Sequence, residues 1–194
     1  MYRSTLLMLA ALLTATASAQ DFSYTYIQGS LEYIDDRASG LDLDAYGGSV
    51  GGSYAISNNF HIFAGYSEVE FDDVDDFDVA ATGLGIGFNT SITDAVDFVT
   101  TLSWIHAKVD LDSFGSDSDN GVSFDVGIRS WVTDYLEFNA GVGVSKLSDS
   151  DNDAGVSAGL MYYFNDNISV GLSGSWSDSE IANYGLNLRY NFGN

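Results

Sequence analysis

The sequence has no cysteine and no proline, and only 6 basic residues stand against 28 acidic ones. Without cysteine there is no disulfide framework and no thiolate for zinc or for nucleophilic chemistry. Without proline no backbone donor is lost from a hydrogen-bonded ladder, which suits a chain made mostly of regular strand. The shortage of Lys and Arg removes the basic footprint that nucleic-acid binding needs. Acidic chains can be disordered, but 45% hydrophobic residues with 12 Tyr, 12 Phe and 3 Trp are too many for that state. After the first nineteen residues there is no apolar run near the ~20 residues a membrane-spanning helix requires.

Those nineteen residues, "MYRSTLLMLAALLTATASA", carry Arg3, an apolar run through Leu13 and the small-residue exit Ala17-Ser18-Ala19. This anatomy predicts a secretory signal over residues 1–19, cut before Gln20, and a single domain over 20–194. A membrane-anchoring helix is the weaker reading, because the run is short.

The rest of the chain has one texture. Stretches alternating apolar with small or polar residues are cut by Asp, Ser, Asn and Gly clusters, and a period of two dominates. The pattern predicts ten strands near 22–34, 43–56, 60–71, 78–89, 95–109, 121–132, 136–147, 154–164, 168–177 and 182–192, with eight as the alternative count. In the sixth, Val122, Phe124, Val126 and Ile128 alternate with Ser123, Asp125, Gly127 and Arg129. In the last, Tyr184, Leu186, Leu188, Tyr190 and Phe192 alternate with Gly185, Asn187, Arg189 and Asn191. The first, "FSYTYIQGSLEY", switches parity near Tyr26, which predicts a bulge there.

Connections alternate in length. Ile56-"SNN"-Phe60, Val132-"TDY"-Leu136 and Phe164-"NDN"-Ile168 place three turn residues between two apolar ones, which keeps the flanks on one face. "NTSITDA" after Phe88 is slightly longer. The other five, "DDRASGLD", "DDVDDF", "DSFGSDSDN", "SDSDND" and "SDSEIAN", are long and acidic.

Periodicity alone does not say which face is inside. In a soluble barrel or sandwich the apolar face is the core; in a membrane barrel it meets lipid. Three features favour the membrane barrel. The alternate face carries Gly and Ser rather than the long charged side chains of a solvated sheet. Aromatics gather at strand ends: Phe60, Phe88, Phe138, Phe164, Tyr190 and Phe192 at the short-turn end, and Tyr46, Tyr66, Trp104, Trp176 and Tyr184 at the long-loop end. Such girdles bound the lipid-facing band of membrane barrels. An even strand count also puts both termini at the short-turn end.

In these features the chain resembles the small outer-membrane β-barrel proteins of Gram-negative bacteria, of the opacity-protein and OmpA-transmembrane-domain kind. The resemblance covers residues 20–194 and implies an all-β, antiparallel up-and-down transmembrane barrel, monomeric, with both termini periplasmic. "YGLNLRYNF" resembles the aromatic-ending closing strand read by the barrel-assembly machinery, although Gly193 and Asn194 follow it here. The implied surroundings are outer-membrane lipid and lipopolysaccharide.

The parity places Glu32, Asp125, Arg129, Glu137, Asn187 and Arg189 in the lumen, with His61 near the short-turn end. Arg129 falls diagonal to Glu137 across one hairpin, within reach of long side chains. An interior ion-pair network is the expected arrangement, and a solute-selecting constriction is the sharper alternative. Most of the acids lie in the long loops. "DSDNDAG" over 149–155 has the look of half a calcium loop, so Asp149, Asp151 and Asp153, with Asp117 and Asp119, are weak candidates for divalent cations. Diffuse cation association at the acidic rim, bridging to lipopolysaccharide, is the broader expectation. No cofactor is implied. His106 has lipid-facing parity, and His61 sits near the wrong end for the acid/His proteases and Ser/His lipid hydrolases among outer-membrane barrels, so no catalytic constellation emerges. The expected role is structural or interactive, in envelope integrity or adhesion; the alternative is a narrow cation-preferring porin.

Overall fold

A computed structural model describes residues 21–36, 43–71, 77–111, 115–148, 152–178 and 181–192. The expected signal, residues 1–19, lies outside them. Ten strands follow one another: β1 (Tyr26–Asp36), β2 (Leu43–Ala55), β3 (Phe60–Phe71), β4 (Phe77–Thr93), β5 (Val96–Leu111), β6 (Gly115–Thr133), β7 (Leu136–Leu147), β8 (Asp153–Tyr163), β9 (Ile168–Ser177) and β10 (Ile181–Asn191). Each pairs antiparallel with its sequence neighbours, and β1 pairs with β10, so the sheet closes as an up-and-down barrel. Glycine-rich strands such as β2 are weak strand formers alone. Closure gives each of them two partners and leaves no edge, the condition for backbone to cross hydrocarbon.

The barrel is inside-out relative to a soluble fold. Leu31 is 68% exposed and Leu172 65%, and they belong to an outward band that includes Ile62, Leu84, Leu102, Val142, Leu160 and Leu186. The fully buried side chains include Glu137 and Ser169. So continuous an apolar exterior needs an apolar surrounding. Every strand has 10 residues or more, enough for the 9–11 that a tilted transmembrane strand needs.

The short turns fall into two kinds. Between β2 and β3, and between β8 and β9, three residues separate the closing pairs Ile56–Phe60 and Phe164–Ile168, as expected. The first turn residue accepts from the backbone: Ser57 Oγ from the N–H groups of Asn59 and Phe60, and Asn165 Oδ1 from those of Asn167 and Ile168. The third, Asn59 or Asn167, donates its amide to the carbonyl of Asn89 or Asn191 on the neighbouring strand, 2.8 Å in each case.

The other two turns differ from expectation. Thr93 pairs with Val96 and Thr133 with Leu136, leaving two-residue turns, and the register shifts at Ile92 and Val132. Each extra residue is taken up as a β-bulge, which preserves the parity of Asp97 and Glu137. "ITDAVDF" and "VTDYLEF" thus build the same corner twice. "NTSITDA" is therefore mostly strand, not a longer turn.

Two further expectations are corrected. The register of β1 runs unbroken from Tyr26–Asn191 to Asp36–Ile181, so there is no bulge at Tyr26. Ile27 and Leu31 face out, while Tyr26 and the preceding Tyr24 and Phe22 turn inward. "GSDSDN" is strand rather than loop: Leu111 pairs with Gly115 and Ala107 with Asp119, so β5 and β6 run on as a paired ribbon, with residues 115–118 exposed. Gly115 begins β6 at φ +93°, a conformation that favours glycine.

Candidate functional site: the lumen and its floor

At four points on the inner face glycine makes room for a bulky neighbour. His61 lies opposite Gly87, Phe63 opposite Gly85, Asn139 opposite Gly159 and Met161 opposite Gly171. A Cβ at any of these glycines would collide with the side chain across from it. This gives the Gly/Ser face its physical reason: one bulky inward residue needs an empty position beside it.

The bulky residues gather at the short-turn end and form a floor. Glu137, fully buried, accepts from Arg129 Nε and Nη2, each at 2.8 Å, in a bidentate pair. Tyr163 donates to the same carboxylate at 2.7 Å, and Arg189 Nη1 stands 3.8 Å from it. A planar guanidinium on a carboxylate, with a third donor, is the geometry that offsets the cost of burying charge. Arg129 also donates to the Ser23 carbonyl at 3.0 Å and lies against the rings of Phe22 and Tyr24, 4.9 and 4.8 Å from their centroids. Arg189 lies 4.4 Å from the Tyr26 ring and donates to Gln28 Oε1 at 2.9 Å. Phe22 stacks on Trp131, which packs with Ala95, Met161 and Tyr163. On the other side of the floor Tyr24 stacks on His61 and donates to Asp97 at 2.9 Å, and Ser91 donates to the same carboxylate.

Of the lumen residues picked out from the sequence, Arg129, Glu137 and Arg189 come together, and His61 lies at the same end. Asn187 links them upward, accepting from Gln28 and Ser30 and donating to Ser173. Glu32 and Asp125 are inside but apart from the arginines. Glu32 accepts from Ser49 and Asn183, and Asp125 accepts from Thr101 and Ser123. Phe22, Tyr24, Tyr26 and Asp97 were missed. The signal for Asp97 was the repeated corner motif, which puts an inward acid directly after both turns.

Above the floor the wall mixes small and polar residues with Phe63, Val99 and Ile105. A cavity of about 650 Å³ is bounded by residues including Glu32, Ser49, Gly51, Ser67, Gly83 and Thr101 above and Tyr24, Arg129 and Arg189 below. A second, of about 340 Å³, lies between Asp125, Ser145, Asp153, Ser157, Ser175 and Asn183.

On the outer face Tyr46, Tyr66, Trp104, Trp176, Tyr184, Phe60, Phe164, Tyr190 and Phe192 are exposed, and Phe88 and Phe138 are half-buried beside them. Tyr33 joins this set unforeseen, between Tyr46 and Tyr184 at 5.1 and 6.2 Å, with its hydroxyl on Asp44. His106 faces out, 6.0 Å from Trp104 and bonded to Asn120.

Among the cation candidates, Asp149 and Asp151 lie outside the described residues. On the β5–β6 ribbon Asp117 is exposed and Asp119 half-buried, and each accepts from the next backbone N–H. Asp153 adjoins Asp178, whose carboxyl is held below the usual carboxylate range by a hydrogen bond from Asp153 and by the Ala154 N–H. Among the described residues no three His, Cys, Asp or Glu side chains converge on a metal position.

The profile of the outer membrane protein beta-barrel domain family matches residues 4–153. No curated protein matches the sequence. Among solved structures, the NanC porin aligns at 10% identity with a TM-score of 0.57, over 86% of this chain and all of that one. The N-terminal barrel domain of Pseudomonas aeruginosa OprF aligns at 13% identity and a TM-score of 0.48, over 87% of this chain and all of that one. The first likeness shows the shared barrel fold and nothing finer.

Proposed function

We propose a function from the premise that this chain belongs to the outer membrane protein beta-barrel domain family: it is a closed-floored barrel of the Gram-negative outer membrane whose work is done at its outer surface. The termini and short turns face the periplasm, and the long acidic connections face outward. The observation that carries this reading is the floor. Glu137 is 0% exposed, Trp131 2% and Met161 3%, at the level where a pore would have to continue. A barrel filled there holds the envelope together or presents its loops; it does not need to conduct.

The chain inserts as a monomer with the help of the barrel-assembly machinery, which reads the closing strand. Its acidic loops associate with divalent cations and, through them, with the anionic lipopolysaccharide around the barrel. Chelation separates this from a merely solvated rim: removing Mg²⁺ should lower the unfolding temperature in lipopolysaccharide-containing bilayers and leave it unchanged in phosphatidylcholine.

A second reading is a narrow pore that prefers cations. It is favoured by the carboxylates of Glu32, Asp125 and Asp153 on the walls of the outer cavities. Planar-bilayer recording of the refolded chain decides between the two. The closed-floor reading expects silence once insertion is verified by heat-shifted gel mobility; steady conductance steps would replace it with the pore.

A further inference from the structure

The floor is not equally thick everywhere. The cavity above it, about 650 Å³, has Tyr24 in its wall beside His61 and Arg129. A second cavity of about 620 Å³ opens on the short-turn side, between Phe22, Tyr24, Asn58, Asn89 and Asp97. Among the described residues Tyr24 is the one member common to both linings. At this point the Tyr24 ring stands between the two cavities, with the hydrogen-bonded pair His61 and Asn89 beside it.

Tyr24 is also attached differently from the rest of the floor. Trp131, Glu137, Met161 and Tyr163 are carried on β6, β7 and β8, so moving them breaks ladder hydrogen bonds on both sides. Tyr24 precedes β1 and lies outside every strand. Its ring is held by side chains: the hydroxyl on Asp97 at 2.9 Å, stacking on His61 with centroids 4.9 Å apart, and the Arg129 guanidinium. Its neighbour Ser23 is held by Arg129 through one carbonyl. Swinging residues 22–24 toward the periplasm breaks no strand pairing, and Arg129 keeps its bidentate partner Glu137.

We propose that residues 22–24 form a gate, with the Tyr24 ring as its leaf and Asp97 as its catch, and that withdrawal of the ring joins the two cavities into a passage for small hydrated ions. The proposal rests on the closed-floor reading: the resting state is shut, and conduction is the exception. The two sides of the catch are strands β4 and β5, which present Asn89, Ser91 and Asp97, so the opened path has polar groups where the ring withdraws.

Single-channel recording of three proteins tests this, with insertion checked by heat-shifted mobility. The wild type should be silent with rare openings. Tyr24→Phe keeps the ring and loses the catch, so its open fraction should rise about tenfold, the worth of one charge-assisted hydrogen bond. Tyr24→Ala should conduct persistently in discrete steps. An inserted Tyr24→Ala as silent as wild type overturns the gate and leaves the closed floor standing. A wild type already open with the steps of Tyr24→Ala overturns the closed floor itself. Should Tyr24→Ala not fold, Tyr24→Phe decides, and an open fraction equal to wild type counts against the gate.

Discussion

The same ten strands build two different interiors. Toward the long-loop end, the lumen leaves open space between walls that carry Ser, Gly and Thr among larger residues. Toward the short-turn end it is crowded by two arginines, a buried glutamate and a set of aromatic rings. Strand pairing runs through both, so the ladder does not account for the difference. Side-chain volume does, together with which inward positions are left as glycine. The outer half can hold water and needs no internal pairing. The short-turn half buries its charges, so each of them needs a partner.

The comparison breaks most easily at Glu137. Glu137→Ala leaves Arg129 and Arg189 buried without their carboxylate, which should cost about 3–5 kcal/mol in reversible unfolding from lipid. The lipid-facing band comes next. Leu172→Lys puts an ammonium on the outward face and should cost about 2–4 kcal/mol in a bilayer if that face meets hydrocarbon. In a water-soluble barrel the same exposed substitution would change little. Gly171→Ala forces Met161 out of the place glycine leaves for it and should cost about 1–3 kcal/mol. Ser157→Ala, in the open outer half, should stay within about 0.5 kcal/mol. An outer serine as costly as Gly171 would erase the distinction between the halves.

The ladder was legible in the sequence because a barrel that faces lipid on one side and a small lumen on the other imposes a period of two along its whole length. That rule located Arg129 and Glu137 as a diagonal pair and set the parity of every strand from β2 onward. It misled at Phe22, Tyr24 and Tyr26. The alternation showed only a parity switch near Tyr26, read as a bulge; the rings turn inward because Arg129, Trp131 and Arg189, more than a hundred residues away, offer them cations and a stacking surface. Nothing local announces such a partner. The bulges at Ile92 and Val132 were hidden in a different way: one extra residue restores the parity, so the alternation on either side looks undisturbed. Only the repetition of Thr-Asp before an apolar residue and an inward acid marked them. The β5–β6 ribbon was missed because "GSDSDN" has a loop's composition, and it pairs only because β5 continues alongside.

The absence of native cysteine makes the division between the halves directly measurable. Ser157→Cys and Ser169→Cys put one thiol in the outer lumen and one in the floor. Intact cells carrying each variant would be treated with a small membrane-impermeant maleimide. The account predicts rapid labelling at position 157 and none at 169 until the protein is unfolded. Equal labelling at both positions, or labelling at 169 alone, would contradict a barrel open to the outside and closed toward the periplasm.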